Sequence, residues 1–457
     1  MKKICVVLCI VLICLSLTSC DYNITSIESL MRPPKLSGES SLLQSAFEQS
    51  VDDINGIKMK TPLSGQYRSS YLFFDLEKDG QNEAIVFYSN PVEDLFAYAS
   101  VFKFVNNEWK NISKIKGKNE EIYEVNFADI NGDNISEILI SWTGPVGSEN
   151  INSIDFGTSN ERLLATYSCD GVTTTLLKTE TYTNLFLNDL NNDGSEEIVI
   201  FKINLADDEK QTTSRILGFN DDFSVEFDKT FKMTGLLEIN NIVTDSIMIN
   251  EKNHTRIFVD GAISEIGIVT EIIDIDNETF DINLPLYELN QSQKPTTLRA
   301  SRTYCKDIDN DGTIEIPTDE LLPYGVRIPT RENNELYLTV WSEYIDNEMS
   351  LDFKCLMNSS FGYMFVFPED MLGNISATYN DDNQTLTMFT VNDNGDLDNE
   401  MFSLRAFYEP DWDENNFKYL KYAENSTFVY GYFILDEYNS DEYEDFIKEN
   451  FIILNQE

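Results

Sequence analysis

Asp189-Leu190-Asn191-Asn192-Asp193-Gly194-Ser195-Glu196-Glu197 runs directly into the strand-like Ile198-Val199-Ile200. Its pattern is an acid, one residue, an acid or amide, one residue, an acid, Gly or Asn, two residues, then Glu. The same pattern returns as Asp75-Leu76-Glu77-Lys78-Asp79-Gly80-Gln81-Asn82-Glu83 and as Asp129-Ile130-Asn131-Gly132-Asp133-Asn134-Ile135-Ser136-Glu137. A fourth copy is Asp307-Ile308-Asp309-Asn310-Asp311-Gly312-Thr313-Ile314-Glu315. The first positions, 75, 129, 189 and 307, are separated by 54, 60 and 118 residues. The last interval is twice 59, so a further copy is expected to start at 248. That slot holds Met248, Asn250, Lys252, Asn253 and Arg256 where acids, Gly and Glu should stand, while Ile257-Phe258-Val259 keeps the strand. It reads as a repeat without a metal, in which Lys252 stands in for the ion.

Alternate side chains at positions one, three and five of a tightly curled loop converge on one point. Position seven adds a backbone carbonyl, here from Gln81, Ile135, Ser195 or Thr313, and position nine a carboxylate. Such a set of hard oxygens suits Ca²⁺ with about six or seven ligands at about 2.3–2.6 Å. Gly or Asn at position six permits the left-handed turn that curls the loop. Without a cation the clustered carboxylates would repel one another. The reading is about four Ca²⁺ ions, one per intact loop. An EF-hand is excluded because position twelve is Val86, Ile140, Ile200 or Thr318 and the flanks read as strands, Tyr71–Phe74 before one loop and Ala84–Phe87 after it. A dockerin-like pair would place two copies on helices roughly two dozen residues apart, and the period near 59 does not fit that.

A period of about 50–60 residues centred on strand–loop–strand points to propeller blades. The loops resemble those of the FG-GAP/VCBS class of calcium-binding β-propellers, found in integrin α-chains and bacterial surface proteins. The resemblance covers 66–357 and implies that each acidic loop joins the first two strands of its blade. The chain departs from the family in lacking a clear Phe-Gly and Gly-Ala-Pro pair per repeat; Gly144-Pro145 is the nearest relic. The expected fold is mainly β, a propeller of about five blades (five to seven are open) followed by a small α+β domain. Blades are expected to start near 66, 121, 182, 236 and 300. The first should comprise strands at Tyr71–Phe74, Glu83–Tyr88, Ala97–Val105 and Trp109–Lys116, with Asn106-Asn107 turning the last hairpin.

The ends of the chain carry different signals. Lys2 and Lys3 precede an apolar run, Ile4–Leu17, that ends in Leu17-Thr18-Ser19-Cys20. This fits a secretory leader of residues 1–20 and resembles the bacterial lipobox, which implies lipid attachment at Cys20; an uncleaved anchor is the other reading. Residues 21–65 read as tether and N-terminal segment. Beyond Cys20 only Cys169, Cys305 and Cys355 remain, so a disulfide framework is excluded and buried thiols are expected. From about 358 to 457 the loops stop. Tyr363–Pro368, Thr385–Thr390 and Met401–Tyr408 read as strands, and Asn392–Asp396 as a hairpin turn. Ser440 caps a helix to about Asn450 with Tyr443, Phe446, Ile447 and Phe451 on one face.

Composition narrows function by exclusion. The chain has 79 acidic against 33 basic residues and a formal charge of −46. Such a surface repels phosphate backbones, so no nucleic-acid partner is expected. One histidine, His254, rules out His-cluster zinc sites and nearly all Ser–His–Asp chemistry. No catalytic residue is assigned. The expectation is a lipid-anchored protein held on the outer face of the cell membrane, whose propeller presents a recognition surface to an extracellular protein or envelope polysaccharide. A carboxylate-dependent glycoside hydrolase or lyase acting at the propeller channel is the alternative, and a purely structural or assembly role is a third.

Overall fold

The computed structural model describes residues 39–454, apart from 53, 93, 144–160, 206–210, 266, 293–294, 323–336, 381, 414–417 and 439. The leader, Cys20, the tether to residue 38 and Gly144-Pro145 lie outside the described residues. The chain is mainly β, built from antiparallel sheets. It divides into two compact units, one of Met1–Ile122 with Asp170–Thr174 and one of Tyr123–Cys169 with Thr175–Glu457.

The first unit contains helix α1 (Glu39–Ser50) and strands β1 (Lys58–Met59), β2 (Tyr71–Phe74), β3 (Glu83–Ser89), β4 (Ala97–Val105) and β5 (Glu108–Lys116). β3 is buried along its whole length, as its Ala-Ile-Val-Phe-Tyr run requires, and pairs with β1, β2 and β4. Asn106 and Asn107 both take positive φ, 56° and 66°, the two-residue turn that matches strand twist. Leu43 and Phe47, one helical turn apart on α1, are buried against Val86, Tyr88, Phe102 and Trp109. Part of the segment read as N-terminal lead-in is therefore core: two large apolar side chains four residues apart cover the sheet face.

Four-stranded meanders follow one another, with spatial order equal to chain order. They are β6 (Ile122–Ala128), β7 (Glu137–Trp142), β8 (Arg162–Cys169) and β9 (Thr174–Tyr182); β10 (Asn184–Asn188), β11 (Glu197–Asn204), β12 (Gln211–Phe219) and β13 (Val225–Met233); then β14 (Glu238–Ile249), β15 (Lys252–Ser264), β16 (Gly267–Asp276) and β17 (Ile282–Asn283). Burial falls across these sheets: β7 is wholly buried, whereas β13, with its alternating charges, is mostly exposed. The last meander holds β18 (Ile316–Leu321), β19 (Tyr337–Ile345) and β20 (Glu348–Asn358).

β21 (Tyr363–Phe367) joins the outer side of β20, and β27 (Phe451–Ile453) adds beyond it, so the C-terminal region continues the last sheet. The rest of that region is a second sheet of β22 (Ile375–Asn380), β23 (Thr385–Val391), β24 (Leu397–Tyr408), β25 (Leu420–Glu424) and β26 (Phe428–Ile434), in the order β22-β23-β24-β26-β25. A short helix α2 (Tyr287–Asn290) precedes the fourth loop, and helix α3 (Asp441–Asn450) starts at Ser440, whose hydroxyl accepts from the Tyr443 N–H at 3.4 Å. Ile447 of α3 is buried with Phe365, Phe402, Tyr430 and Phe451. Cys169, Cys305 and Cys355 are buried, and none of them is in a disulfide. Among the described residues no helix is long and apolar enough to cross a membrane.

The slot at 248 corrects one expectation. No loop stands there: β14 and β15 form a continuous hairpin closed by Asn250 and Glu251, at φ 51° and 68°. Lys252 is opposite Ile249 and bonds Asp276 Oδ2 at 2.6 Å, so it replaces no ion. With no acids to curl around a cation, the chain closes by the shortest strand-compatible turn.

Candidate functional site

Loop one joins β2 to β3, and loops two and three join the first two strands of their sheets, β6 to β7 and β10 to β11. The fourth precedes β18, and its first strand is reduced to the bridge of Lys306 with Glu315. Two hydrogen bonds are common to all four. The closing Glu turns Oε2 back to accept from the N–H of the second loop residue: Glu83 from Leu76 at 3.0 Å, Glu137 from Ile130 at 3.1 Å, Glu197 from Leu190 at 2.7 Å and Glu315 from Ile308 at 2.8 Å. Asp79, Asp133, Asp193 and Asp311 each accept from the N–H two residues on (Gln81, Ile135, Ser195, Thr313) at 2.8 Å. The first acids Asp75, Asp189 and Asp307 accept from the N–H groups of positions five and six, at 2.8–3.1 Å. Asp129 instead accepts from Gly132 at 2.9 Å.

Position six takes positive φ at Gly80 (87°), Asn134 (67°), Gly194 (97°) and Gly312 (95°), as curling requires. Position four does so too, at Lys78, Gly132, Asn192 and Asn310, which sequence reasoning missed although three of these are Asn or Gly. It also missed the role of position two. Leu76, Ile130, Leu190 and Ile308 are buried, at 9 % exposure or less, and pin each loop to the apolar interior.

The closing glutamates are 2 % exposed or less. Burial pushes Glu137 and Glu197 up to about 8 and Glu315 up to about 7, and the loop aspartates beside them add to the rise. Burial raises Glu83 as well, with Glu77 and Asp79 adding to it. In Glu315 the second oxygen, Oε1, is buried without any hydrogen-bond partner. A buried carboxylate oxygen with no donor calls for a cation, and all-oxygen donors call for a hard one. The donors of loop four suit a hard divalent cation on those grounds.

The four loops differ in detail. Glu77 is held by Lys103, so the third-position carboxylate of loop one is already paired with a cation. Asn131 and Asn191 give their amide nitrogens to Asp133 (3.1 Å) and Asp193 (2.6 Å). Among the described residues, carboxylates able to reach one ion together are brought within 4.8 Å only around loop four: Asp307 with Asp309 and Glu315, and Asp311 with Glu315 and Glu343.

Adjacent sheets support the loops. The Glu196 N–H donates to the Asp129 carbonyl at 2.8 Å, and Asn131 Nδ2 donates to the Asp221 carbonyl at 3.0 Å. In the loopless slot, Arg256 takes the place of the closing Glu and is 1 % exposed. Its guanidinium grips both oxygens of Asp245 and the Tyr344 carbonyl, and Asp245 Oδ2 in turn receives the Ile314 N–H of loop four at 3.1 Å. A buried ion pair thus stands where its neighbours bury a glutamate. Elsewhere Asp260, fully buried, is saturated by Arg299, Thr270, Asn241 and the Cys305 N–H. Burial, and Asp260 beside it, keep Cys305 a thiol.

No known family model matches this chain, and no curated protein matches it either.

Proposed function

We propose that the protein is a lipid-anchored extracellular binding protein whose meanders are the blades of a calcium-stabilised β-propeller that presents a recognition surface. The observation that carries this is the shared hydrogen-bond frame of the four acidic loops, each closed by one buried glutamate. Such a frame holds ligands ready for a divalent cation and leaves unfavourable charge when the cation is absent. Acylated Cys20 would fix the chain to the outer face of the membrane, with residues 21–38 as spacer. Loops at the rim and central channel of a propeller are its usual recognition surfaces, and the partner class is an extracellular protein or an envelope polysaccharide. Four bound ions would supply about +8 against the −46 of the chain, so most of the acidic surface stays solvated and selects against anionic partners.

The test uses residues 21–457 immobilised without the lipid. Isolated envelope polysaccharide and surface-exposed proteins from the producing cell are passed over it in calcium and in chelator. Saturable capture in calcium that chelator abolishes supports the reading. Absence of calcium binding by equilibrium dialysis would refute it. Labelled palmitate incorporated into the full chain and lost on Cys20→Ser checks the anchor.

A further inference from the structure

Among the described residues, loop four is where a carboxylate from outside the loop comes within ion-sharing distance of the loop's own acids. Strands β18 and β19 pair with Ile316 opposite Ser342, which carries Glu343 alongside Glu315. The result is two carboxylate groupings that share one residue, Asp307 with Asp309 and Glu315, and Asp311 with Glu315 and Glu343, each with ligand oxygens within 4.8 Å. The shared Glu315 is fully buried, and its Oε1 has no hydrogen-bond partner. Asp352 on β20 lies within electrostatic reach of Asp309 and Asp311.

We propose that loop four holds two divalent cations, one within Asp307, Asp309 and Glu315 and the second within Asp311, Glu315 and Glu343, with Glu315 common to both. This rests on the reading of the acidic loops as cation sites and adds one ion to it. Charge supports two ions over one. Five carboxylates around a single divalent ion leave a net charge of about −3 in a partly buried site, and a second ion reduces this to about −1. All donors are carboxylate oxygens, so the class is a hard cation of the calcium or manganese type, not zinc. The second ion would also tie the loop to the β19–β20 hairpin, which the single-loop sites cannot do.

The experiment is equilibrium dialysis of chelator-stripped residues 21–457 against radioactive calcium alone, comparing the wild type with Glu343→Gln. The expected result is five ions per chain falling to four in the variant. Circular dichroism serves as the check that the variant is folded. Equal numbers of ions in the two proteins, or a change in affinity without loss of an ion, would overturn the second site. If the wild type binds no calcium, the loop reading itself fails, so the two failures are distinct. An independent measurement needs no variant. Wild-type crystals soaked in terbium should show two anomalous peaks beside Glu315, and a single peak there would overturn the proposal.

Discussion

Glu197→Gln should have opposite effects with and without calcium. The amide oxygen can still accept from the Leu190 N–H, so the hydrogen bond that closes loop three is kept. What the change removes is a buried negative charge, at a residue that is 2 % exposed. Burial raises the folded acid from its ordinary 4.5 to about 8. Below pH 4.5 the side chain is neutral in both states and costs nothing. The cost grows as pH rises between the two values and is complete above about 8. At about 1.4 kcal/mol per pH unit the ceiling is about 5 kcal/mol, which water penetration and local relaxation reduce to about 2–3 kcal/mol. In chelator at pH 8.5 the variant should therefore melt about 3–5 °C above the wild type, and at pH 5 the two should nearly coincide. In calcium the order should invert, because the variant has lost a ligand, and binding at a hundredfold excess over Kd is worth about 2.7 kcal/mol. Differential scanning calorimetry at both pH values, with and without calcium, reads all four conditions. A variant that melts lower than the wild type in chelator at pH 8.5 would show that the carboxylate is satisfied without a cation, and the reasoning would fail.

Chelation should lower the wild-type melting temperature, and Asp193→Ala should reproduce part of that loss in calcium; identical wild-type melting curves in calcium and chelator would count against metal binding. Gly312→Ala meets open space but sits at φ 95°, so its cost is backbone strain alone, about 1–2 kcal/mol by urea titration. Arg256→Met should cost about 3–5 kcal/mol by stranding buried Asp245. Adding Asp245→Asn should recover part of it, and a double variant no more stable than the single would argue that the arginine acts by packing rather than by charge.

Much of the loop architecture was legible because its determinants are local. Nine consecutive residues carry the acids, the left-handed positions and the closing Glu, and the apolar runs on either side demand strands. The β2–β5 strands lie within a residue or two of where alternation and the Asn106-Asn107 turn put them, since hairpin register follows from the turn. The slot at 248 shows the limit. Spacing pointed to a copy at 248 where the chain forms a plain hairpin, and Arg256, at the ninth position of that slot, finds its charge partner in Asp245 on the preceding strand. Lys252, read from sequence as the stand-in for the ion, faces Asp276 because β15 and β16 pair in a particular register.

What the sequence determined by itself is the repeating acidic loop and the β character of its flanks, because ligand spacing and side-chain alternation are properties of a few adjacent residues. What only the tertiary structure decided is which loop gains help from elsewhere. Lys103 reaches Glu77 from β4, Glu343 reaches Glu315 through the β18–β19 register, and α1 buries Leu43 and Phe47 on the first sheet. Each depends on residues tens of positions apart becoming neighbours through strand pairing and core packing, and no local pattern encodes that distance.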